Sequence, residues 1–258
     1  MAQPDVAAEP RIVVVGASSG LGRCIGVGLA QRGARVALLA RRRERLESAA
    51  REAGRDALAI ECDVTDEGSC RSAIAAAAEG LGGIDSLVYT PGIGPLARLT
   101  DMDAATWRQV FDTNVIGAAL LTAAAQPHLS ASSGTAVYLS SVSASQTPPW
   151  PGLGAYAVSK AALDKMVDAW REEHPDIGFT RLVVGECGGG EGEGMTEFAN
   201  GWDADLAAEF VSTWIARNYM TGALLEVEQL VSVVEVIARG HASVCMRSVT
   251  VAPRLVQP

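Results

Sequence analysis

Residues 11–22 read RIVVVGASSGLG, and no other stretch limits the fold as much. A run of β-branched apolar residues stops at Gly16, and Gly20 and Gly22 follow at once. A strand with no polar position is buried on both faces, which a parallel sheet covered by helices provides. The next residues, LGRCIGVGLAQR (21–32), carry helical spacing, and Gly33 is placed to end that helix. The chain therefore opens as strand, tight turn and helix. It must then cross back to lay a second strand beside the first.

The same alternation continues. Apolar runs predict strands at 11–16, 34–40, 57–64, 84–90, 135–141, 179–186 and 248–253. Helical patterns predict helices at 21–32, 43–54, 65–82 (opening on a Thr/Asp cap), 101–129, 155–174 and 227–240. This is an α/β protein, a doubly wound parallel sheet of about seven strands with helices on both faces. No Pro/Gly/Ser-rich linker divides the 258 residues, so one domain is expected over 11–258, after a flexible tail at 1–10. Residues 187–226 read as a lid or substrate segment within it. Ligands in such sheets bind beyond the carboxyl ends of the strands. Gly16, Thr90, Ser141 and the segment after Glu186 all fall there.

The formal charge of -9 argues against nonspecific binding to nucleic acid or anionic membranes. The N-terminus lacks a signal pattern, and no apolar run approaches the ~20 residues that span a bilayer. A soluble cytoplasmic protein is expected. The five cysteines form no C-x-x-C pair, and no histidine stands at metal-ligand spacing to one. They read as small buried hydrophobes in a reducing compartment, with no metal site.

Glycines between a first strand and a first helix let backbone N–H groups approach a pyrophosphate, and the helix N-terminus favours its charge. Gly16, Ser18, Ser19, Gly20, Leu21 and Gly22 are the candidate contacts. A carboxylate at the end of the second strand would bind the adenosine ribose of NAD. Here that end reads LLARRR, with Ala40 in the acid's place and Arg41, Arg42 and Arg43 after it. A guanidinium pairs with a 2′-phosphate where a carboxylate would repel it, so NADP(H) is favoured, with Arg41 and Arg42 as its ligands. The alternative is a solvated basic start to the next helix. Asp63, at the end of the third strand, either accepts from the adenine amino group or caps the turn.

Tyr156 and Lys160 are four residues apart on one expected helix and share a face. Only two lysines are present, and Lys160 is one. An ammonium beside a phenol favours phenolate and lowers its pKa from ~10. That suits a general acid/base for a carbonyl/alcohol pair, with a serine hydroxyl to hold the oxygen.

Taken together, GASSGLG (16–22), CDVTD (62–66), NVIG (114–117), SS (140–141) and YAVSK (156–160) resemble the short-chain dehydrogenase/reductase family, clearly over 11–185. The resemblance implies a Rossmann-type sheet, NAD(P)-dependent hydride transfer, and a tetrad of Asn114, Ser141, Tyr156 and Lys160. Tyr156 would be the acid/base, Lys160 would hold the nicotinamide ribose, and Asn114 would hold a water in a proton relay. Val64, Thr90, Gly92 and Gly188 join the implied cofactor contacts. The small-molecule partner would be a carbonyl or alcohol. Members often pair through helices such as 101–129 and 155–174, so a homodimer or homotetramer is implied.

The chain also departs from the family pattern. Tyr89-Thr90-Pro91-Gly92 stands where N-N-A-G is usual, and Cys187-Gly188 stands where P-G is usual. Thr196 is a candidate for the threonine that follows. The family's usual spacing back from Tyr156 selects Ser143, whereas the strand-ending Ser-Ser selects Ser141. The Pro/Gly-rich loop TPPWPGLG absorbs an insertion easily, and Ser141 is favoured with Ser143 as the alternative. Trp150, Met195, Phe198 and Trp202 are candidates to wall an apolar substrate, or ordinary packing residues. The expected function is an NADP(H)-dependent oxidoreductase. The alternative is a non-catalytic NADP(H)-sensing module that acts through a protein partner.

Overall fold

The computed structural model describes residues 9–54, 56–220, 222–240 and 244–254. Seven strands form one all-parallel sheet: β1 (Arg11–Val15), β2 (Arg35–Ala40), β3 (Leu58–Glu61), β4 (Ser86–Tyr89), β5 (Thr135–Ser141), β6 (Gly178–Val184) and β7 (Ser248–Val251). Their order is β3-β2-β1-β4-β5-β6-β7. The order reverses between β1 and β4, so a crevice opens there at the carboxyl edge. All seven expected strands are present.

The sheet faces are made by alternation along each strand. In β1, Val13 and Val15 point into one core with α3 (Glu67–Leu81), α5 (Gly117–Ser132) and α7 (Gly154–Glu173). Ile12 and Val14 point into the other, with α1 (Gly20–Gln31), α2 (Arg43–Ala53) and α9 (Val227–Ala238). Four of the five β1 residues are wholly buried, which explains the unbroken apolar run. Helix α3 starts on Asp66, whose carboxylate accepts from Ser69 N at 2.6 Å, and ends on left-handed Gly82.

Three expectations change. The single helix over 101–129 is replaced by α4 (Ala104–Phe111), a π-helical turn at Asp112–Ile116 and α5, which runs on past Pro127. The extra residue of a π-turn displaces backbone carbonyls from the regular ladder. Here the buried Tyr89 hydroxyl donates to Thr113 O at 2.5 Å. Strand β3 ends at Glu61, so Asp63 and Val64 lie in the turn beyond it. The segment 187–226 contains a 13-residue helix, α8 (Ala204–Ala216), capped by Asp203. A short α6 (Val142–Ser145) also follows β5.

Residues 1–8 of the expected tail lie outside the described residues. Pro10 is buried, and its carbonyl accepts from Arg35 N at 2.9 Å. Among the described residues, no helix is long and apolar enough to cross a membrane.

Helices α1 and α9 cross closely because Gly28 has no side chain. A Cβ there would stand 2.7 Å from Val231 Cγ1. Gly28→Ala is expected to destabilise the fold by about 1–3 kcal/mol in denaturant titrations, the usual cost of overpacking. Adding Val231→Ala should recover part of that loss; strict additivity would show that the crossing is not the cause.

Candidate active site

The glycine turn joins β1 to α1 at the crevice. Gly16 and Gly20 adopt left-handed φ values of 80° and 56°, which disfavour a side chain. A Cβ on Gly22 would stand 2.3 Å from Gly16 O and 2.4 Å from Thr90 Oγ1. Thr90 donates its hydroxyl to Val15 O at 2.6 Å and so ties β4 to the turn. The turn and the head of α1 form a backbone cradle of the kind that suits a pyrophosphate.

Arginines border the turn. Arg42 reaches Ser18 Oγ at 3.1 Å and Ser19 Oγ at 2.6 Å. It also pairs with Glu197 at 2.7 Å, and Arg45 binds the other oxygen of that carboxylate. Burial raises the Glu197 pKa, but the hydrogen bonds from Arg45, Arg42 and Ser19 overcome it and bring the group down to about 2. Two guanidiniums and the Ser19 hydroxyl thus converge on an anion. Arg41, exposed like Arg42, faces Asp63, whose pKa is lowered chiefly by the hydrogen bond from Thr65 N and further by the Arg41 charge. Arg43 pairs with Glu47 on the surface. Asp63 caps its turn through Thr65 N at 3.0 Å and Thr65 Oγ1 at 2.8 Å. Val64 turns its side chain into the core.

The candidate proton-handling groups lie at the end of β5 and on α7. Ser141 closes β5, and its Oγ accepts from Ser143 N at 3.2 Å and lies 3.0 Å from Ser143 Oγ. Burial pushes the Tyr156 phenol up to about 12, while hydrogen bonding with the Ser141 hydroxyl acts in the opposite sense. This favours Ser141 over Ser143 as the serine that meets the phenol. Lys160 is 2% exposed. Its Nζ donates to Leu139 O at 2.7 Å and lies 5.8 Å from the Tyr156 ring centroid. Burial lowers its pKa to about 8, partly offset by Asp164. The expected lowering of the tyrosine by its neighbouring ammonium is therefore not found. Desolvation acts on both groups and pushes each toward its neutral form.

Asn114 sits in the π-turn, wholly buried. Its Nδ2 donates to Ile93 O and Ser159 Oγ, both at 2.9 Å, and its Oδ1 accepts from Ile93 N at 2.9 Å. Gly92 lets Lys160 come close, since a Cβ there would lie 3.3 Å from Nζ. Gly188 follows β6, and its carbonyl accepts from Thr196 N at 3.0 Å. The Thr196 hydroxyl accepts from Phe198 N at 3.3 Å. Phe198 meets the Tyr156 ring edge-on at 4.8 Å, and Trp202 continues the stack at 5.7 Å. Trp150 joins the same cluster through Trp214 and Tyr219. Met195 is exposed and does not join it.

Residues 10–196 match the family model described as short chain dehydrogenase. The chain belongs to the short-chain dehydrogenase family. It is 34% identical over 187 residues to 11-beta-hydroxysteroid dehydrogenase A of Sesamum indicum, covering 70% of this chain and 53% of that one. It is 40% identical over 139 residues to cis-4-hydroxycyclohexanecarboxylate dehydrogenase of Sinomonas cyclohexanicum, covering 52% and 56%. The match spans little more than half the length of these relatives. A short-chain type dehydrogenase/reductase from Mycobacterium marinum superposes with a TM-score of 0.81 at 25% identity, covering 95% of each chain. An alcohol dehydrogenase from Thermococcus sibiricus, complexed with 5-hydroxy-NADP, shares the fold with a TM-score of 0.80 at 21% identity, covering 97% and 99%.

Within this short-chain dehydrogenase, sequence reasoning missed Arg45, Glu197, Tyr89 and Ser159. Arg45 stands two residues beyond the run Arg41–Arg43, with Glu44 between. Tyr89 occupies a position where the family pattern has Asn, and it stabilises the turn that carries Asn114. Nothing in the local sequence links Glu197 to the arginines 152 and 155 positions before it.

The buried Lys160 makes a pH prediction. Its folded pKa, about 8, lies below the unfolded value of ~10.4, so between them the unfolded chain binds more protons and stability rises with pH. The cost of burying the charge is fully present below pH 8 and amounts to about 3 kcal/mol. The stability advantage of Lys160→Met over wild type should therefore shrink as pH rises from 8 toward 10. Parallel stability curves would show that Lys160 carries no such cost.

Proposed function

We propose that this chain is an NADP(H)-dependent oxidoreductase that moves hydride between the nicotinamide and a carbonyl or secondary-alcohol carbon. The convergence of Ser141, Tyr156 and Lys160 at the carboxyl edge, beside the glycine turn, carries this reading. The residues fit a dinucleotide: Gly16 and Gly22 keep the turn free of side chains, and Arg42, Arg45 and Ser19 already hold an anion. Bound there, the cofactor supplies or accepts the hydride.

The chain's own residues have distinct roles in this reading. The backbone from Gly16 to Gly22, with Ser18, Ser19, Gly20 and Leu21, holds the pyrophosphate. Arg42 and Arg45 take the 2′-phosphate, and Arg41 adds charge at the rim. Asp63 and Val64 border the adenine through the turn they form. Thr90, Gly92 and Gly188 flank the nicotinamide half. Lys160 binds the ribose, and Asn114 fixes the Ile93 backbone beside it. Ser141 orients the substrate oxygen and Tyr156 exchanges its proton. A phenol near 12 keeps its proton through neutral pH, which suits protonation of a nascent alkoxide. The carbonyl-reducing rate should stay flat through neutral pH, and the alcohol-oxidising rate should climb as pH rises.

The aromatic wall of Trp150, Phe198 and Trp202 supports an apolar substrate. The names of the sesame and Sinomonas relatives, a hydroxysteroid and a hydroxycyclohexanecarboxylate dehydrogenase, support a ring-borne carbonyl or hydroxyl. Exposed Ile116 and Val158, beside α5 and on α7, support pairing of copies through these helices, which sedimentation would test. Five free thiols support a reducing cytoplasmic setting, testable by thiol titration of the purified protein.

With NADPH and a panel of cyclic ketones, wild type should turn over. Tyr156→Phe should lose about a hundredfold or more in rate while still binding NADPH. Equal rates would remove Tyr156 from the chemistry. Binding without turnover across the panel would favour the sensing module. Arg42→Ala should weaken NADPH about tenfold or more, and NADH far less, since charge-assisted bonds are lost only with the phosphate. An equal loss would contradict the NADP(H) assignment.

A further inference from the structure

An acid from the far side of the chain lies in the anion site. Glu197 Oε2 accepts from Arg42 Nη1 at 2.7 Å and from Ser19 Oγ at 3.0 Å, and Oε1 pairs with Arg45. Arg42 at the same time holds Ser18 and Ser19. Planar guanidiniums beside hydroxyls are the donor set a phosphate ester takes, and a carboxylate is its smaller, less charged analogue.

The segment that delivers Glu197 is built to lie there. Gly189 and Met195 form an antiparallel bridge, Gly190 N donates to Gly194 O at 2.9 Å, and Thr196 N donates to Gly188 O at 3.0 Å. Gly189 has φ of 81°, and a Cβ on it would stand 2.4 Å from Gly194 O. Cβ atoms on Gly190 or Gly194 would stand 3.0 and 2.9 Å from Cys24 Sγ, so the hairpin lies flush on α1. Glu193 adds a second clamp through Arg23 at 2.9 Å and Ser48 at 3.1 Å. At the turn itself, a Cβ on Gly20 would lie 3.5 Å from Thr196 Cα. The Gly/Glu composition of 186–194 thus gives a hairpin that fits over the cofactor turn.

The next residue, Phe198, packs on Tyr156 and on Gly94, where a Cβ would lie 2.2 Å from its ring. Glu197 and Phe198 therefore hold the two halves of the site from one dipeptide. We propose that Glu197 is a specificity-determining competitor for the cofactor's 2′-phosphate, and that its displacement by NADP(H) shifts the hairpin and draws Phe198 off Tyr156. This rests on the NADP(H) reading above. Glu197 and its arginines are partly exposed, so each pair is weak on its own. A phosphate with nearly two charges outcompetes a carboxylate with one, whereas a ribose hydroxyl does not. NADPH then evicts Glu197 and NADH leaves it in place.

The test titrates NADPH and NADH into wild type, Glu197→Ala, Glu197→Gln and Arg42→Ala, with hydrogen exchange at the Gly190, Gly194 and Thr196 amides. Removing the competitor raises the binding-competent fraction, so Glu197→Ala should tighten NADPH about tenfold and NADH less than about twofold. Glu197→Gln should fall between wild type and Glu197→Ala. Saturating NADPH should speed exchange at the three amides of wild type, and NADH should not. Unchanged or weaker NADPH binding in Glu197→Ala, or equal tightening of both cofactors, overturns the proposal. So does full amide protection at saturating NADPH. The Arg42→Ala arm separates the two failures. A selective loss of NADPH leaves the cofactor reading standing without the competitor, and an equal loss of both removes the reading as well.

Discussion

Two absent side chains set the geometry of the whole carboxyl edge. Gly16 and Gly22 let the end of β1 and the head of α1 close to within van der Waals contact of Thr90, whose hydroxyl is bonded to Val15 O. That contact joins β1 to β4 at the point where the strand order reverses. From it follow the tight course of the turn and the nearness of Gly92 to Lys160. Any Cβ at Gly22 would have to displace backbone, because Gly16 O stands 2.3 Å away.

Burial then governs the chemistry. Tyr156 and Lys160 share a helix face, yet neither tunes the other in the simple way their spacing suggests. The dense packing of α7 against β5 pushes the phenol toward its protonated form and the ammonium toward its neutral one. Lys160 is held by Leu139 O, and Asn114 is held on three sides by Ile93 and Ser159. These contacts fix positions before any ligand arrives, which is the preorganisation that proton transfer needs.

The sheet was legible because its strands are buried on both faces: runs such as RIVVV and TAVYLSS leave no alternative period to read. The glycine turn and the Ser141, Tyr156 and Lys160 positions were legible for a related reason, since steric and helical constraints act within a few residues. What escaped depends on contacts distant in sequence. No residue type announces a π-turn, and the Tyr89 hydroxyl that supports it comes from a strand 24 positions away. Helix α8 was absorbed into an irregular segment because its aromatic face packs on Leu153 and Trp150 rather than on the sheet. The basic run pointed to the arginines but not to which one turns inward. Arg42 does so because Ser18, Ser19 and Glu197 meet it there, while Arg41 stays at the rim.

In the proposed reaction, hydride reaches a carbonyl carbon at this edge while Tyr156 provides the proton. It is tested most directly with NADPH deuterated at C4 of the nicotinamide, cyclic ketones, and mass analysis of the alcohols formed. One deuterium is expected on the carbinol carbon of the product, delivered from one face of the nicotinamide only. Alcohol formed with no deuterium on that carbon, or with label arriving equally from both faces, would contradict it.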